Sequence, residues 1–378
     1  MSLWPPRMRP RPRRRGHEAG HSRFHGPVSA ISADEVIAAG LAAGLDAVGI
    51  APAKPFESTR ATLVERREQG LHGGMAFTYR NPDRSTDPGR TVIGARSLVV
   101  GALGYRRATP ARPDRATGRV ASYARRDHYG KLRDALSQVA ELLHSAGHKA
   151  MVVADDNALV DREAAQRAGL GWYGKNSNIL LPGKGSWFVL GSVITTAELD
   201  PSTPMPDQCG PCRRCLDGCP TGAIVAPGVV DARKCLAWLV QADGDFPLEF
   251  REALGDRIYG CDDCQEVCPP NRLTASGDAN SGIEAGDPED DIAWVDLVEL
   301  LQLEDDELMS RYGRWYIPKR DPRYVRRNAL VALGNSGRGA APEVVGTVRR
   351  YQSASDPMLV RHAEWAAARL GVSQVEPV

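Results

Sequence analysis

All eight cysteines of this 378-residue chain fall between Cys209 and Cys268, and their spacing restricts what the chain can fold around. The first run reads C-G-P-C-R-R-C-L-D-G-C-P, placing Cys209, Cys212, Cys215 and Cys219 ahead of Pro220. Gaps of two, two and three residues ending in C-P mark a run in which three close thiolates hold one iron–sulfur cluster and the fourth crosses to another. The second run, Cys261, Cys264 and Cys268 before Pro269, lacks one close cysteine, and Cys235 is the candidate to replace it. The crossing rule then gives Cys209, Cys212, Cys215 and Cys268 as one ligand set, and Cys219, Cys235, Cys261 and Cys264 as the other. Two 4Fe-4S clusters use every cysteine. A four-cysteine zinc site shows two C-x2-C pairs across a long spacer, whereas here the pairs overlap and the C-P endings would go unexplained. Disulfides need an oxidising compartment, and thiols gathered in one window suit a reducing, cytoplasmic one.

The length exceeds what one hydrophobic core serves, so two or three domains are expected. Hydrophobic content of 42% and charge of 25% are ordinary for a globular protein, and no apolar run reaches the length of a membrane span. Residues 1–27 carry Arg7, Arg9, Arg11, Arg13, Arg14, Arg15 and Arg23 among prolines and glycines. They read as a disordered basic tail with weak affinity for nucleic acid; the paired arginines lack the apolar stretch of an export signal.

Order is expected from Ser32, whose S-x-x-E pairing with Glu35 is a capping box for a helix ending at Gly44. Strands are expected at Leu45–Ala51, Ser97–Leu103, Lys149–Ala154 and Trp187–Thr195. Helices are expected at Pro55–Gln69, His128–Ala146 and Ala158–Ala168, with a long loop at His72–Arg90. Alternating strands and helices point to an α/β or α+β domain over 28–200. Gly171-x-x-Gly174 lacks a full dinucleotide fingerprint and reads as turn glycines. The cluster domain spans 201–276, an acidic linker 277–291, and a helical domain 292–378. Within the last, Asp321-Pro322-x-x-Val325-Arg326 recurs as Asp356-Pro357-x-x-Val360-Arg361, each copy opening an Ala/Leu-rich helix, as in two-helix HEAT repeats. Its arginines would suit a phosphate backbone; an ordinary helix pair with solvated charges explains the pattern as well.

Several segments resemble the epoxyqueuosine reductases. They are W-Y-I-P-K-R-D-P-R-Y-V-R-R-N-A-L-V-A-L-G-N (315–335), C-G-x-C-x-x-C-x-x-x-C-P-T-x-A (209–223), Y-G-C-D-x-C-Q-x-V-C-P-x-N (259–271) and A-G-L-G-W-Y-G-K-N-S-N-I-L (168–180). The resemblance runs from about Ser32 to about Leu370. It implies an α/β cobalamin-binding domain similar to that of reductive dehalogenases, a bacterial ferredoxin-like domain with two 4Fe-4S clusters, and a HEAT-like helical C-terminal domain. It also implies a cytoplasmic, monomeric enzyme that uses cobalamin to remove the epoxide oxygen of epoxyqueuosine at the tRNA wobble position. Electrons would come from a flavodoxin- or ferredoxin-type donor.

The resemblance also assigns residues. V-A-D-D-N-A-L-V-D-R (153–162) matches the family's proton donor at Asp155, with Asp156 adjacent; either could instead cap the helix ahead of Ala158. Arg84, Ile179, Leu190, Val193 and Asp262 are carried over as cobalamin contacts. Asp127, His128 and Tyr129 resemble the family's D-Y-H with the last two exchanged, and Cys268-Pro269-Pro270-Asn271 departs from C-P-W-N. Arg320, Arg323, Arg326 and Arg327 are the expected tRNA phosphate contacts, with two of them expected to be internal ion-pair partners instead. Two other classes compete: a cobalamin-dependent reductase of a small molecule, and an electron carrier without cobalamin. The basic helical C-terminus speaks against the first and the large domain before Cys209 against the second.

Overall fold

The computed structural model describes residues 30–273 and 291–372. The expected basic tail, and the acidic linker up to residue 290, lie outside the described residues. In chain order the strands are β1 (Ala47–Pro52), β2 (Ser97–Gly104), β3 (Thr117–Val120), β4 (Ala150–Val153), β5 (Trp172–Tyr173), β6 (Ile179–Leu180), β7 (Phe188–Thr195), β8 (Ile224–Ala226), β9 (Val229–Val230), β10 (Arg257–Tyr259) and β11 (Trp294–Asp296).

The main sheet has the order β1-β2-β7-β4, and every neighbouring pair is antiparallel. The alternation of strands and helices therefore builds an α+β layer rather than a parallel one, because β4 enters at the edge beside β7. The capping box of Ser32 and Glu35 opens the helix Ala33–Ala42 as expected, with Glu35 Oε2 2.8 Å from the Ser32 amide. The helix His128–Ser145 buries Leu132, Ala135, Leu136, Val139, Ala140 and Leu143, one stripe at helical spacing. It crosses the sheet where Gly101 pairs with Gly191. A Cβ at Gly191 would meet a methyl of Leu136 on this helix at 2.7 Å, and one at Gly101 would meet Leu45 at 2.7 Å and Leu136 at 3.2 Å, so close packing over the sheet favours glycine in both strand interiors. Each fully buried Leu, Ile or Val of this core contributes on the order of 2 kcal/mol.

Two boundaries differ from expectation. The helix expected at Ala158–Ala168 spans only Asp161–Arg167, because Asp156 Oδ1 accepts the Ala158 amide at 2.8 Å and holds the preceding residues in a turn. The loop His72–Arg90 contains a short helix, Pro82–Ser85, capped by Asn81, and a 3-10 turn capped by Asp87.

A second sheet, β10-β3-β11, takes one strand from each of the three expected segments. Ala116, Val120 and Ala124 accordingly pack in the core of the C-terminal helices. There the helices Arg323–Gly334, Pro342–Gln352 and Pro357–Leu370 pack together. The two recurring aspartates share one partner: Arg323 donates at 2.6 Å to both Asp321 Oδ2 and Asp356 Oδ2. No described helix is long and apolar enough to cross a membrane.

Candidate functional site

All eight cysteines are free thiols. Their neighbours divide them as the crossing rule requires. Burial pushes the Cys268 thiol up to about 11, and the groups that add to this are Cys215, Cys209 and Cys212. Burial also raises Cys264 well above the ordinary thiol range, with Cys261, Cys235 and Cys219 adding to it. Four clustered, desolvated thiols resist ionising alone, and iron reverses this by stabilising the thiolates. Among the described residues no three such side chains converge on a single ion. A mononuclear zinc site needs sulfurs roughly 4 Å apart, whereas a four-iron cube spreads its ligands around itself.

Two separate parts of the chain brace the ligand loops. The turn between β5 and β6 sends Lys175 Nζ to the carbonyl oxygens of Gly210 (2.6 Å) and Cys212 (2.8 Å), within the first run. Asn176 Nδ2 donates to the Cys264 carbonyl at 3.2 Å, and Ser177 Oγ to Gly228 at 2.9 Å. From the other side, Arg327 donates to the carbonyls of Leu239, Ala242 and Gly244, and Asn328 Nδ2 to those of Val240 and Ile258. These carbonyls lie between the second-set ligands Cys235 and Cys261.

Acidic and phenolic groups of the sheet domain gather beside the second thiol set, and we call the region they bound the cleft. Asp155 stands at its mouth on a left-handed turn (φ 52°), its carboxylate meeting solvent within a shell of protein that raises its pKa. Burial is the main cause; Arg133 opposes it and Asp156 adds to it. The Asp156 carboxylate is spent on the Ala158 amide, so this turn separates the two neighbours into a capping residue and an available acid. Asp161 lies beneath, its pKa pushed well up by burial and then by Asp155, whose amide hydrogen-bonds it. Tyr105, Tyr123, Tyr129 and Tyr259 are phenols raised chiefly by burial, and the charges that reach them include Asp155, Asp262 and Cys264. Asp262 is buried, accepts the Ser122 amide at 2.7 Å, and has a raised pKa. Gln265 joins the two halves by donating to the Tyr105 hydroxyl at 3.2 Å. The cleft thus joins a strand-end carboxylic acid, an aromatic wall and a thiol set.

The expected contacts fare unevenly. The charge of Asp155 reaches Tyr129 and Tyr259, and that of Asp262 reaches Tyr105 and Tyr123. Arg84 is exposed beside Ser85, whose carbonyl accepts the Val160 amide at 3.0 Å, which keeps it near the Asp155 turn. Ile179, Leu190 and Val193 are corrected: they are buried in the hydrophobic core of the sheet, where alternation turns them to protein rather than to a cofactor. Arg326 and Arg327 are corrected too. Arg327 is 0% exposed in its carbonyl cage, and Arg326 is buried against Asp305 and the Leu303 carbonyl (2.5 and 2.7 Å), so neither reaches a phosphate. Arg323 is held by its two aspartates. Arg320 is exposed, with the Gly313 carbonyl as its partner.

The cleft tyrosines, Gln265 and Lys175 escaped the sequence reading. They come from segments far apart in the chain, and the one usable signal was Tyr129 as the last residue of the D-H-Y triplet. His128, the exchanged residue, is buried against Tyr105 with its pKa pushed down to about 4, so it is neutral near pH 7.

Fold and thiol sets together define an iron–sulfur oxidoreductase. Residues 208–271 match the 4Fe-4S double cluster binding domain family, so two 4Fe-4S clusters are its electron carriers. Over 347 residues the chain is 34% identical to the epoxyqueuosine reductase of Bacillus anthracis, covering 89% of this chain and 88% of that one. A crystal structure of epoxyqueuosine reductase with an epoxyqueuosine-modified tRNA-Tyr stem loop superposes with a TM-score of 0.79 at 30% identity, covering 89% and 90% of the two chains. The Bacillus subtilis enzyme with its catalytic aspartate loop swung out of the active site superposes equally well (TM-score 0.79, 30% identity, 89% and 90% coverage). The chain belongs to the epoxyqueuosine reductase family.

Proposed function

We propose that this protein is a tRNA epoxyqueuosine reductase, which removes the epoxide oxygen of epoxyqueuosine at the wobble position. The reaction consumes two electrons and two protons and releases the oxygen as water. The observation that carries the reading is the adjacency of a buried thiol set to a cleft whose mouth holds Asp155. Electrons pass through the clusters one at a time, from a small protein donor of the flavodoxin or ferredoxin type.

Cobalamin is the cofactor we assign to the cleft. The residues there fit it: the wall is aromatic, and Trp187 Nε1 and Asp161 Oδ1 are buried atoms without a hydrogen-bond partner, suited to the amide side chains of a corrin. When bound it would supply a strongly reducing metal centre, which side chains cannot. The protein's own part is the proton. Asp155, its pKa raised by burial, keeps a carboxylic acid within reach of the departing oxygen. Arg84 and Asp262 complete the cofactor contacts, the HEAT-like C-terminal helices with Arg320 carry the RNA, and the enzyme acts as a monomer. The test is anaerobic turnover of epoxyqueuosine-containing tRNA with added cobalamin and a low-potential chemical reductant, read by nucleoside mass spectrometry. Queuosine formation is the expected outcome, and unchanged epoxyqueuosine with eight irons bound would overturn the reading.

A further inference from the structure

With Arg326 and Arg327 occupied inside the protein, the RNA needs other contacts, and the segment Trp315–Arg320 offers an unusual set. Trp315 is 4% exposed, stacks on Tyr259 (4.6 Å between centroids, 11°) and on Tyr312 (4.9 Å, 29°), and donates through Nε1 to the Ala124 carbonyl at 3.1 Å. Ile317, two residues on, is also 4% exposed. Between these anchors Tyr316 is turned out, 57% exposed. Its mount is nonetheless rigid, because the Tyr316 amide donates to the Tyr259 hydroxyl at 2.8 Å. An exposed aromatic ring fixed at both neighbours binds a flat partner with little further loss of entropy.

What surrounds the ring indicates the partner. Lys319 and Arg320 follow with left-handed backbones (φ 55° and 58°), a conformation that non-glycine residues adopt under constraint. Lys319 pairs with Asp243 at 3.1 Å. Arg320 donates to the Gly313 carbonyl and has no carboxylate partner among the described residues. An aromatic face beside an uncompensated guanidinium is the arrangement that holds single-stranded nucleic acid, where bases stack and phosphates pair with cations. The position agrees. Tyr259, which holds Tyr316, has its ring centroid 6.4 Å from that of Tyr123, one of the phenols bounding the cleft.

Resting on the function proposed above, we propose that Tyr316 is a stacking platform for a tRNA loop base adjacent to the nucleotide that enters the Asp155 cleft, with Arg320 on the neighbouring phosphate. The test measures binding of a labelled anticodon stem-loop to the full-length, iron-loaded protein. Tyr316→Ala is expected to weaken binding about ten- to a hundredfold, with iron content unchanged and the salt dependence kept. Tyr316→Phe keeps the ring and the affinity. Arg320→Ala lowers the salt slope by about 1. Equal binding by wild type and Tyr316→Ala overturns the proposal, as does equal loss in Tyr316→Phe and Tyr316→Ala, which would assign a hydrogen bond instead. So does a Tyr316→Ala protein that binds RNA normally and fails only with a protein electron donor. A wild type that binds no stem-loop overturns the functional reading itself, and with it this one.

Discussion

Arg327 Nη2 lies 3.0 Å from the carbonyl oxygen of Leu239, on the short helix that begins at the cluster ligand Cys235. The same guanidinium reaches Gly244 at 2.6 Å and Ala242 at 2.8 Å, and burial lowers its pKa to about 10, which leaves it charged near neutrality. A helix of the C-terminal domain thereby fixes the chain between two ligands of the second thiol set. Removing a buried charge from such a cage leaves several carbonyls unsatisfied, a loss of about 3–5 kcal/mol. Arg327→Ala is expected to lower the denaturant midpoint and to bring iron from about eight toward about four per chain. A variant with full iron content and weaker RNA binding would show instead that Arg327 contacts phosphate.

The opposite brace predicts the opposite loss. Lys175 holds the carbonyls of Gly210 and Cys212, so Lys175→Met removes two charge-assisted hydrogen bonds from the first ligand loop, about 2–3 kcal/mol of local stability. The first cluster should then be lost more readily than the second during anaerobic dialysis, as read by iron content and EPR. Loss of both together would mean that the two loops come apart as one unit.

For Asp155, replacement by Asn keeps the shape of the turn and removes the acid. Turnover should fall by roughly 10²–10⁴-fold, with iron content and stem-loop affinity unchanged. Because the Asp155 pKa is raised above 3.8, the protonated form persists to higher pH than for an ordinary carboxyl, and the rate falls as pH rises through that value. Arg133 opposes the shift, so Arg133→Met should move the falling limb to higher pH. Asp156→Asn should move the limb the other way, to lower pH, since the Asp156 charge adds to the shift.

The double-cluster run was legible because thiol spacing is local chemistry: the crossing of Cys219 and Cys268 is read from two gaps and a proline, and in the fold Cys268 lies among Cys209, Cys212 and Cys215. The capping box at Ser32 and the strands β1, β2 and β7 were legible for the same reason, as each is written within a few residues. The cleft was not. Its tyrosines come from four segments, joined by β10-β3-β11, whose strands of three or four residues are too short to show a period. Arg326 and Arg327 misled because a charged residue in a helix ordinarily reads as solvated. Only the carbonyls of residues 239–244, some 85 positions away in sequence, reveal Arg327 as a buried donor.

Acid should weaken the fold through two neutral histidines. His362 is fully buried; its Nδ1 is 2.7 Å from the Met358 carbonyl and so carries the proton, while Nε2 accepts the Phe246 amide at 3.1 Å and faces Arg251 at the same distance. A second proton would set Nε2 against two donors, and burial, the main cause, pushes its pKa down to about 4. A depressed folded value means that the stabilisation is fully present above about 6.5, the value of an unfolded histidine, and is lost as pH falls from there through about 4. The drop across that window is about 3 kcal/mol for His362, with a similar share from His128, whose pKa is also about 4. His362→Gln keeps an acceptor without the titration, so its unfolding midpoint should fall less steeply between pH 6.5 and pH 4 than that of the wild type. Identical slopes in the two proteins would place the acid sensitivity elsewhere, with the thiolate ligands of the clusters as the next groups to protonate.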